Sequence, residues 1–369
     1  MEHENFSIEI EGEEVDDLYP DLVSLEVELD DELASMFRMR IAILRQPDGI
    51  WTYLDDERYR LWKQVTITAG FESGTEELIS GYITHVKPYF DPDPSQCILE
   101  IWGMDASVLM DRVEKLKDWP NKKDSDIAAE IFNLYGLTPE VDDTEVIHDE
   151  AVSTVIQRET DMQFLKRLAL RNGFECYVEG TTGYFRAPQV DASPQPVLAV
   201  RFGGETTVNR FSIEVNALTP ANVAMFQVDR TNKEVLDASA EASQRITLGE
   251  TDAAGLLAGG MEPGQVYVRM NVATGNPEMV ALCQGLFHEG EWFVTGEGQI
   301  AGNRYGHVLR PRGTVTIKGT GETYSGVYYV FHVTHSFTSE GYTELFRVKR
   351  NAIMPSGSED FSATAGRLL

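Results

Sequence analysis

The stretch Tyr324–Asn351, YSGVYYVFHVTHSFTSEGYTELFRVKRN, decides the fold. Val327, Tyr329, Phe331 and Val333 alternate along its first half, and Thr343, Leu345, Arg347 and Lys349 alternate with Glu344, Phe346, Val348 and Arg350 in the second. Period two over this length predicts two half-buried strands, and Ser339-Glu340-Gly341 is the polar turn between them. The stretch has an echo. Val315-Thr316-Ile317, Ser325-Gly326, His332-Val333 and Phe337 follow the same order as Val65-Thr66-Ile67, Ser80-Gly81, His85-Val86 and Phe90. We read this as an internal duplication of a β-domain.

Working outward, Phe6, Ile8 and Ile10 alternate with polar residues, as do Leu25, Val27 and Leu29, and then Phe37, Met39, Ile41 and Ile43. Further strands are expected at 61–69, 77–87 and 96–102, separated by turn signals such as Pro47-Asp48-Gly49 and Asp91-Pro92-Asp93-Pro94. Such spacing points to a barrel or sandwich over 1–115. The period then becomes helical. Helices are expected over 105–116 and over 124–135, the latter with Ile127, Ile131 and Leu134 on one face, Asp124 or Ser125 as N-cap and Gly136 after its end. Another starts at Thr160, where Thr160-x-x-Gln163 has capping-box spacing, and stops at Asn172-Gly173. With the hairpin that turns at 180–183, these elements form an α+β insert over 116–190. Strands return at 197–203, 206–216, 221–228, 292–301 and 314–318, so residues 191–352 form a second β-domain. It carries a helical or irregular insertion at about 231–291, with a short helix at 277–289. Residues 353–369 are a Ser/Gly-rich tail, expected to be mobile when alone.

A chain of 369 residues with ordinary apolar content holds two or three domains. No window has the roughly 18 uncharged apolar residues that cross a bilayer, and the N-terminus lacks the basic and apolar regions of a signal peptide. Cys97, Cys176 and Cys283 are too scattered for a disulfide framework or a zinc site. The net charge is −29, and residues 1–35 hold 14 Asp or Glu with no Lys or Arg. That balance argues against a surface for nucleic acid. It suits either a solvated acidic surface or a wall along which anionic cargo does not stick.

The motifs that carry chemistry elsewhere are incomplete in this sequence. His332 and His335 are three apart on a strand, so they point to opposite faces and share no metal without a bulge. His288-Glu289 begins like HExxH, but Trp292 takes the place of the second histidine. Gly319-Thr320-Gly321 is a strand connection without a following helix to bind phosphate. Asp91-Pro92-Asp93 and Asp142-Asp143 lack the alternating ligands of a calcium loop. Two basic patches, Arg112, Lys115, Lys117, Lys122 and Lys123, and Arg304, Arg310 and Arg312, suit either solvated faces or docking of acidic neighbours. No catalytic, cofactor-binding or metal-ligating residue is assigned, and no enzyme activity or cofactor is expected.

The runs DASVLMD (105–111), SDIAAEIFNLYGL (125–137) and QRETDMQFLKRLALRNGFECYV (157–178), followed by 324–351, resemble the phage late control gene D family, the baseplate hub of contractile tails. They are also similar to the N-terminal half of the valine-glycine repeat spike proteins of type VI secretion. The resemblance covers about residues 5–352, and ETDMQFLKRLALRNGF is its most specific part. It implies two barrels related to the tail-tube subunit, a homotrimer whose six barrels form a pseudo-hexameric ring, and a helical insert outside that ring. It implies a hub without an active site that joins a central spike to the inner tube or tube initiator, lines the channel, and meets wedge or adaptor proteins of the baseplate. No oligonucleotide-binding-type barrel or β-helix follows in this chain, so the spike is expected to be a separate polypeptide. Neither specific nucleic-acid binding nor membrane insertion is implied. The expected route is synthesis in the bacterial cytoplasm without a signal peptide, then incorporation into a phage tail or injection particle. The competing classes are a tail-borne glycan hydrolase and a receptor-binding β-protein.

Overall fold

The computed structural model describes residues 6–362 except 72–73, 153, 220, 230–231, 259 and 270–272. Twelve strands make up nearly all of its main sheet. The first six are β1 (Phe6–Ile10), β2 (Leu22–Asp30), β3 (Met36–Ala42), β4 (Gln64–Phe71), β5 (Gly74–Tyr89) and β6 (Ile98–Asp105). The second six are β7 (Gln195–Ala199), β8 (Val208–Val215), β9 (Val294–Ala301), β10 (Gly313–Lys318), β11 (Gly326–Thr338) and β12 (Gly341–Arg350). The two-residue strand Glu13–Glu14 extends the edge at β1. The first six run in the order β2-β3-β6-β5-β4-β1 and the second six in the order β8-β9-β12-β11-β10-β7. The orders match strand for strand. One orientation differs, since β1 is antiparallel to β4 whereas β7 is parallel to β10.

Two β-bulges recur in both units. Val23 is the extra residue between Leu22 and Ser24 where β2 faces β3, and Asn209 is its counterpart where β8 faces β9. Thr84 interrupts β5 against β6, and Phe331 interrupts β11 against β12, each directly before the histidine of the repeated His-Val pair. A bulge moves the following side chains to the other face. This corrects the simple alternation expected for β11. Tyr328 and Val330, then Val333, face the core of the second unit, while Val327, Tyr329 and Phe331 belong to another cluster. The register also sorts the echo. Val65 stands opposite Gly81, and Val315 opposite Tyr328, so the Val-Thr-Ile triplets are equivalent while the Ser-Gly pairs are two residues out of step.

The expectation of two barrels is corrected. The second half of β11 pairs with β2, so both units belong to one 13-stranded sheet, and no closed barrel forms among the described residues. The strand at 221–228 lies outside this sheet. Ala221–Val228 pairs with Val235–Ala240 and Gly264–Val268 in a separate three-stranded sheet, so the insertion begins before residue 231.

Helix α1 (Asp124–Leu134) buries Ile127 and Ile131 but leaves Leu134 exposed, and its cap position is Lys123 rather than Asp124. Helix α2 (Asp161–Asn172) is capped by the Thr160 hydroxyl, which accepts from the Gln163 N–H at 3.3 Å, and ends at Gly173 with φ +65°. Helix α3 (Asn276–Gly290) packs on the separate sheet through Met279, Leu282 and Cys283. The helix expected over 105–116 is reduced to one 3-10 turn, Ala106–Leu109. Val113 and Leu116 stay in solvent, so no buried stripe compensates the ordering of a longer helix.

Candidate functional site

The feature that sets this architecture apart is the seam between its two units. β11 is shared. Gly326–Val330 pairs with β10, then the bulge turns the strand and His332–Thr338 pairs with β2. Val333↔Leu29, His335↔Val27 and Phe337↔Leu25 stand opposite one another, and all six residues are buried. Phe337 stacks on Tyr342 at 4.4 Å and meets Phe6 at 4.9 Å, so the second unit plugs the core of the first. Asp30 closes the seam. Burial alone would raise its carboxyl, but the His332 ring at 2.8 Å and the N–H groups of Leu33 and Glu32 hold it down at about 2. His335 lies beside the Tyr342 hydroxyl at 2.8 Å, and Tyr342 donates to Glu344.

Two strand edges lack such a partner among the described residues. Past Ile83, β5 pairs only with β6, and its outer edge from His85 to Tyr89 is open. β8 ends the sheet and pairs only with β9, apart from one bridge at Val208. Open edges are templates for pairing.

Where the units meet the helical region, a cavity of about 300 Å³ is lined by Asp31, Leu33, Phe174, Glu175, Trp292 and Lys349. Lys349 pairs with Asp31 at 2.5 Å and lies over the Trp292 ring at 5.2 Å. Burial and the nearby Asp31 push the Glu175 carboxyl up to about 6, and Tyr329 donates to it at 2.7 Å. A second buried charge group ties three helices together. Asp124 of α1 accepts from Arg171 Nε of α2 at 2.6 Å and lies 3.0 Å from His148. Glu278 of α3 lies 3.5 Å from His148 and 3.6 Å from Arg171. Burial would raise Asp124, yet His148 and Arg171 hold it at about 2. At the same contact Gly285 of α3 meets α2 so closely that a Cβ there would fall 2.6 Å from the Arg171 carbonyl.

Comparison with solved structures agrees with this architecture, and a family model matches most of the chain. The model of the Alg8 N-terminal domain family matches residues 1–339. The chain belongs to that family. Among solved structures, the chain resembles a 43 kDa tail protein of prophage MuSo2 from Shewanella oneidensis, at 11% identity and TM-score 0.66, covering 95% of this chain and 99% of that one. A tail protein from Neisseria meningitidis MC58 aligns at 14% identity and TM-score 0.64, over 95% and 97% of the two chains. The E. coli c3393 protein, described as a type VI secretion component with structural similarity to the T4 tail proteins gp27 and gp5, aligns at 11% and TM-score 0.52, over 95% and 76%. No curated protein matches significantly. At these identities the likeness establishes the fold, and it agrees with the resemblance to tail hub and type VI spike proteins drawn from the sequence.

The candidate residues of the sequence take separate places in the structure. His332 and His335 have different partners on the two faces of β11, and no group of three metal-ligating side chains gathers among the described residues. His288 is buried, and burial together with Arg245 pushes it down to about 4. Gly319-Thr320-Gly321 is followed by a helical turn after all, but only Gly321–Tyr324. Asp93 caps the Ser95 N–H at 3.0 Å, and Asp143 pairs with Lys123 at 2.8 Å.

The basic patches are largely consumed internally. Lys117 and Lys122 hold Glu130, Lys115 holds Asp161, Arg112 lies over Trp62, Arg310 holds Glu179 and Arg312 lies over Tyr177. Sequence reading missed the open edges and both buried charge groups. The Pro88 ring within an apolar strand was a local signal for the first, because proline is confined to sheet edges. Nothing local signals the second. No helix among the described residues is long and apolar enough to cross a membrane.

Proposed function

We propose that this protein is a structural hub of a contractile tail or tail-derived injection particle. Three copies form a ring that joins a central spike to the first ring of the inner tube. The observation that carries this reading is the pair of six-strand units with one strand order, joined inside the chain and ending in unsatisfied edges outside it. Two alike surfaces per chain let a threefold assembly match a sixfold one, and a head-to-tail contact between alike units closes into a ring. Tail proteins of Shewanella and Neisseria with the same fold over almost their whole length support it. In this reading the two units are a duplicated, tube-like pair spanning 1–115 and 191–352, with 116–190 packed outside and 353–369 as a tail; wedge or adaptor proteins meet the outer layers. The polar face of β2, β3 and β6 lines the channel. That face mixes signs, since Arg38 holds Glu100 at 2.5 Å and approaches Glu26 at 3.9 Å, so an evenly acidic wall is not part of the proposal. The hub has no catalytic role.

The native mass of the purified chain, alone and with the spike protein of its particle, tests this by light scattering. A trimer, or a three-plus-three complex with spike, is the expected result. A strict monomer that ignores the spike overturns it. The hydrolase alternative has one observation behind it, the raised Glu175 acid beside Asp31 in the junction cavity. Cell-wall-degrading activity that is lost in Glu175→Gln decides for that alternative.

A further inference from the structure

The internal seam is a template from which the register of a second seam can be read. The shared bulges superpose the units residue by residue, making His85 equivalent to His332 and Ser24 equivalent to Arg210. Within the chain, His332–Thr338 of β11 pairs with Asp30–Ser24 of β2. Carried across the equivalence, residues 85–91 face residues 216–210. We propose that the extension of β5 in one copy pairs antiparallel with β8 of a second copy of this chain, with Val86 opposite Val215, Lys87 opposite Glu214, Tyr89 opposite Ser212, Phe90 opposite Phe211 and Asp91 opposite Arg210.

Three observations that did not enter the superposition support this register. The first is charge. Lys87 meets Glu214 and Arg210 meets Asp91, and among the described residues Lys87, Glu214 and Arg210 have no ion pair within their own chain. A shift by one residue sets Lys87 against Val215 or Ile213. Opposite charges across a strand pair favour one register. The second is burial. Val333 and Phe337 are 0% and 2% exposed in the internal seam, whereas their equivalents Val86 and Phe90 are 36% and 54% exposed. The third lies on the receiving strand. Leu25 and Val27 are fully buried beneath β11, while their equivalents Phe211 and Ile213 stay half-buried at the rim of the second core. Phe90 of a neighbour fills that rim as Phe337 fills the first core. Pro88 costs the seam one ladder hydrogen bond, and it keeps the free edge from pairing indiscriminately.

The inference rests on the ring reading only in taking a second copy as the occupant. Tyr89→Cys with Ser212→Cys, in the full chain under mild oxidation, tests it. Both sites are outside the cores, and the native Cys97, Cys176 and Cys283 are buried. A disulfide between copies, with a covalent trimer as the largest product, is the expected result, while the out-of-register pair Tyr89→Cys with Glu214→Cys yields at least tenfold less. Lys87→Glu alone weakens association at least tenfold, and adding Glu214→Lys restores it. A ladder of products running past three keeps the seam and overturns the threefold ring. A particle that is trimeric by light scattering but gives no disulfide at 89 and 212 overturns the seam and keeps the ring. A chain that stays monomeric, with and without spike, overturns both.

Discussion

The second half of β11 and the extension of β5 hold equivalent places in two units of the same strand order, and they meet opposite fates. One reads HVTHSF and lies in a core; the other reads HVKPYF and lies in solvent. Both carry a His-Val pair after a bulge and a phenylalanine five residues after the histidine. The difference between them is the presence of β2 beside one and, among the described residues, of no strand beside the other. Burial in this sheet is therefore set by which edge finds a partner, and apolar content alone does not reveal it.

The largest expected effect separates the two directly. Phe337→Ala empties a site between Tyr342 and Phe6 and costs about 3–5 kcal/mol in urea unfolding. Phe90→Ala, whose ring leans on Trp51 at 5.0 Å, costs about 1 kcal/mol or less in the monomer and acts on association instead. Equal losses in the monomer break the comparison. Next comes the outer layer. Asp124→Asn leaves Arg171 and His148 buried beside a neutral amide and costs about 3 kcal/mol, read as a fall in the denaturant midpoint. The exposed Asp143→Asn leaves that midpoint unchanged.

Gly285→Ala forces a methyl against the α2 backbone and costs about 1–3 kcal/mol, because a carbonyl cannot step aside as a side chain can. The smallest effects come from pH. Glu175 binds its proton more tightly folded than unfolded, so stability falls by up to about 2 kcal/mol as pH rises from about 4.5 to 6. Glu175→Gln flattens that window. Asp30 has the opposite sign, and its contribution is lost as pH falls from about 3.8 to 2. Its equivalent in the second unit is Asn216, which does not titrate, so in the monomer the loss of this contact falls on β2 and not on β8. Hydrogen exchange at β2 and β8 across the two pH values checks this.

Much of the fold was legible. Strand positions, the cap at Thr160, the stop at Gly173 and the equivalence of the Val-Thr-Ile triplets follow from local pattern, because side-chain period and turn chemistry are local. What was not legible depends on one extra residue or on distant partners. Phe331 looks like one more alternating residue, and only the β12 register shows that it is a bulge. Residues 105–116 have helical period but nothing to pack against, so Leu116 hangs in water. The strand at 221–228 reads like its neighbours, yet it sits on α3 in another layer. Lysines that looked like a docking patch are answered by Glu130 and Asp161, 8 to 46 residues away. The seams themselves join Asp30 to His332, and no short window contains both.

That last separation has a consequence in time. Asp30 and His332 are 302 residues apart, so β2 leaves the ribosome long before the strand that will cover it exists. At ordinary synthesis rates of about 5–20 residues per second, the wait is roughly 15–60 s. Through that interval Leu25, Val27 and Leu29 have β3 on one side and no strand on the other. Glu26, Glu28, Asp30, Asp31 and Glu32 along the same short run are well placed as guards against premature aggregation. The acids between residues 26 and 32 are thus placed to shield the nascent strand before Asp30 and Asp31 take His332 and Lys349 as partners.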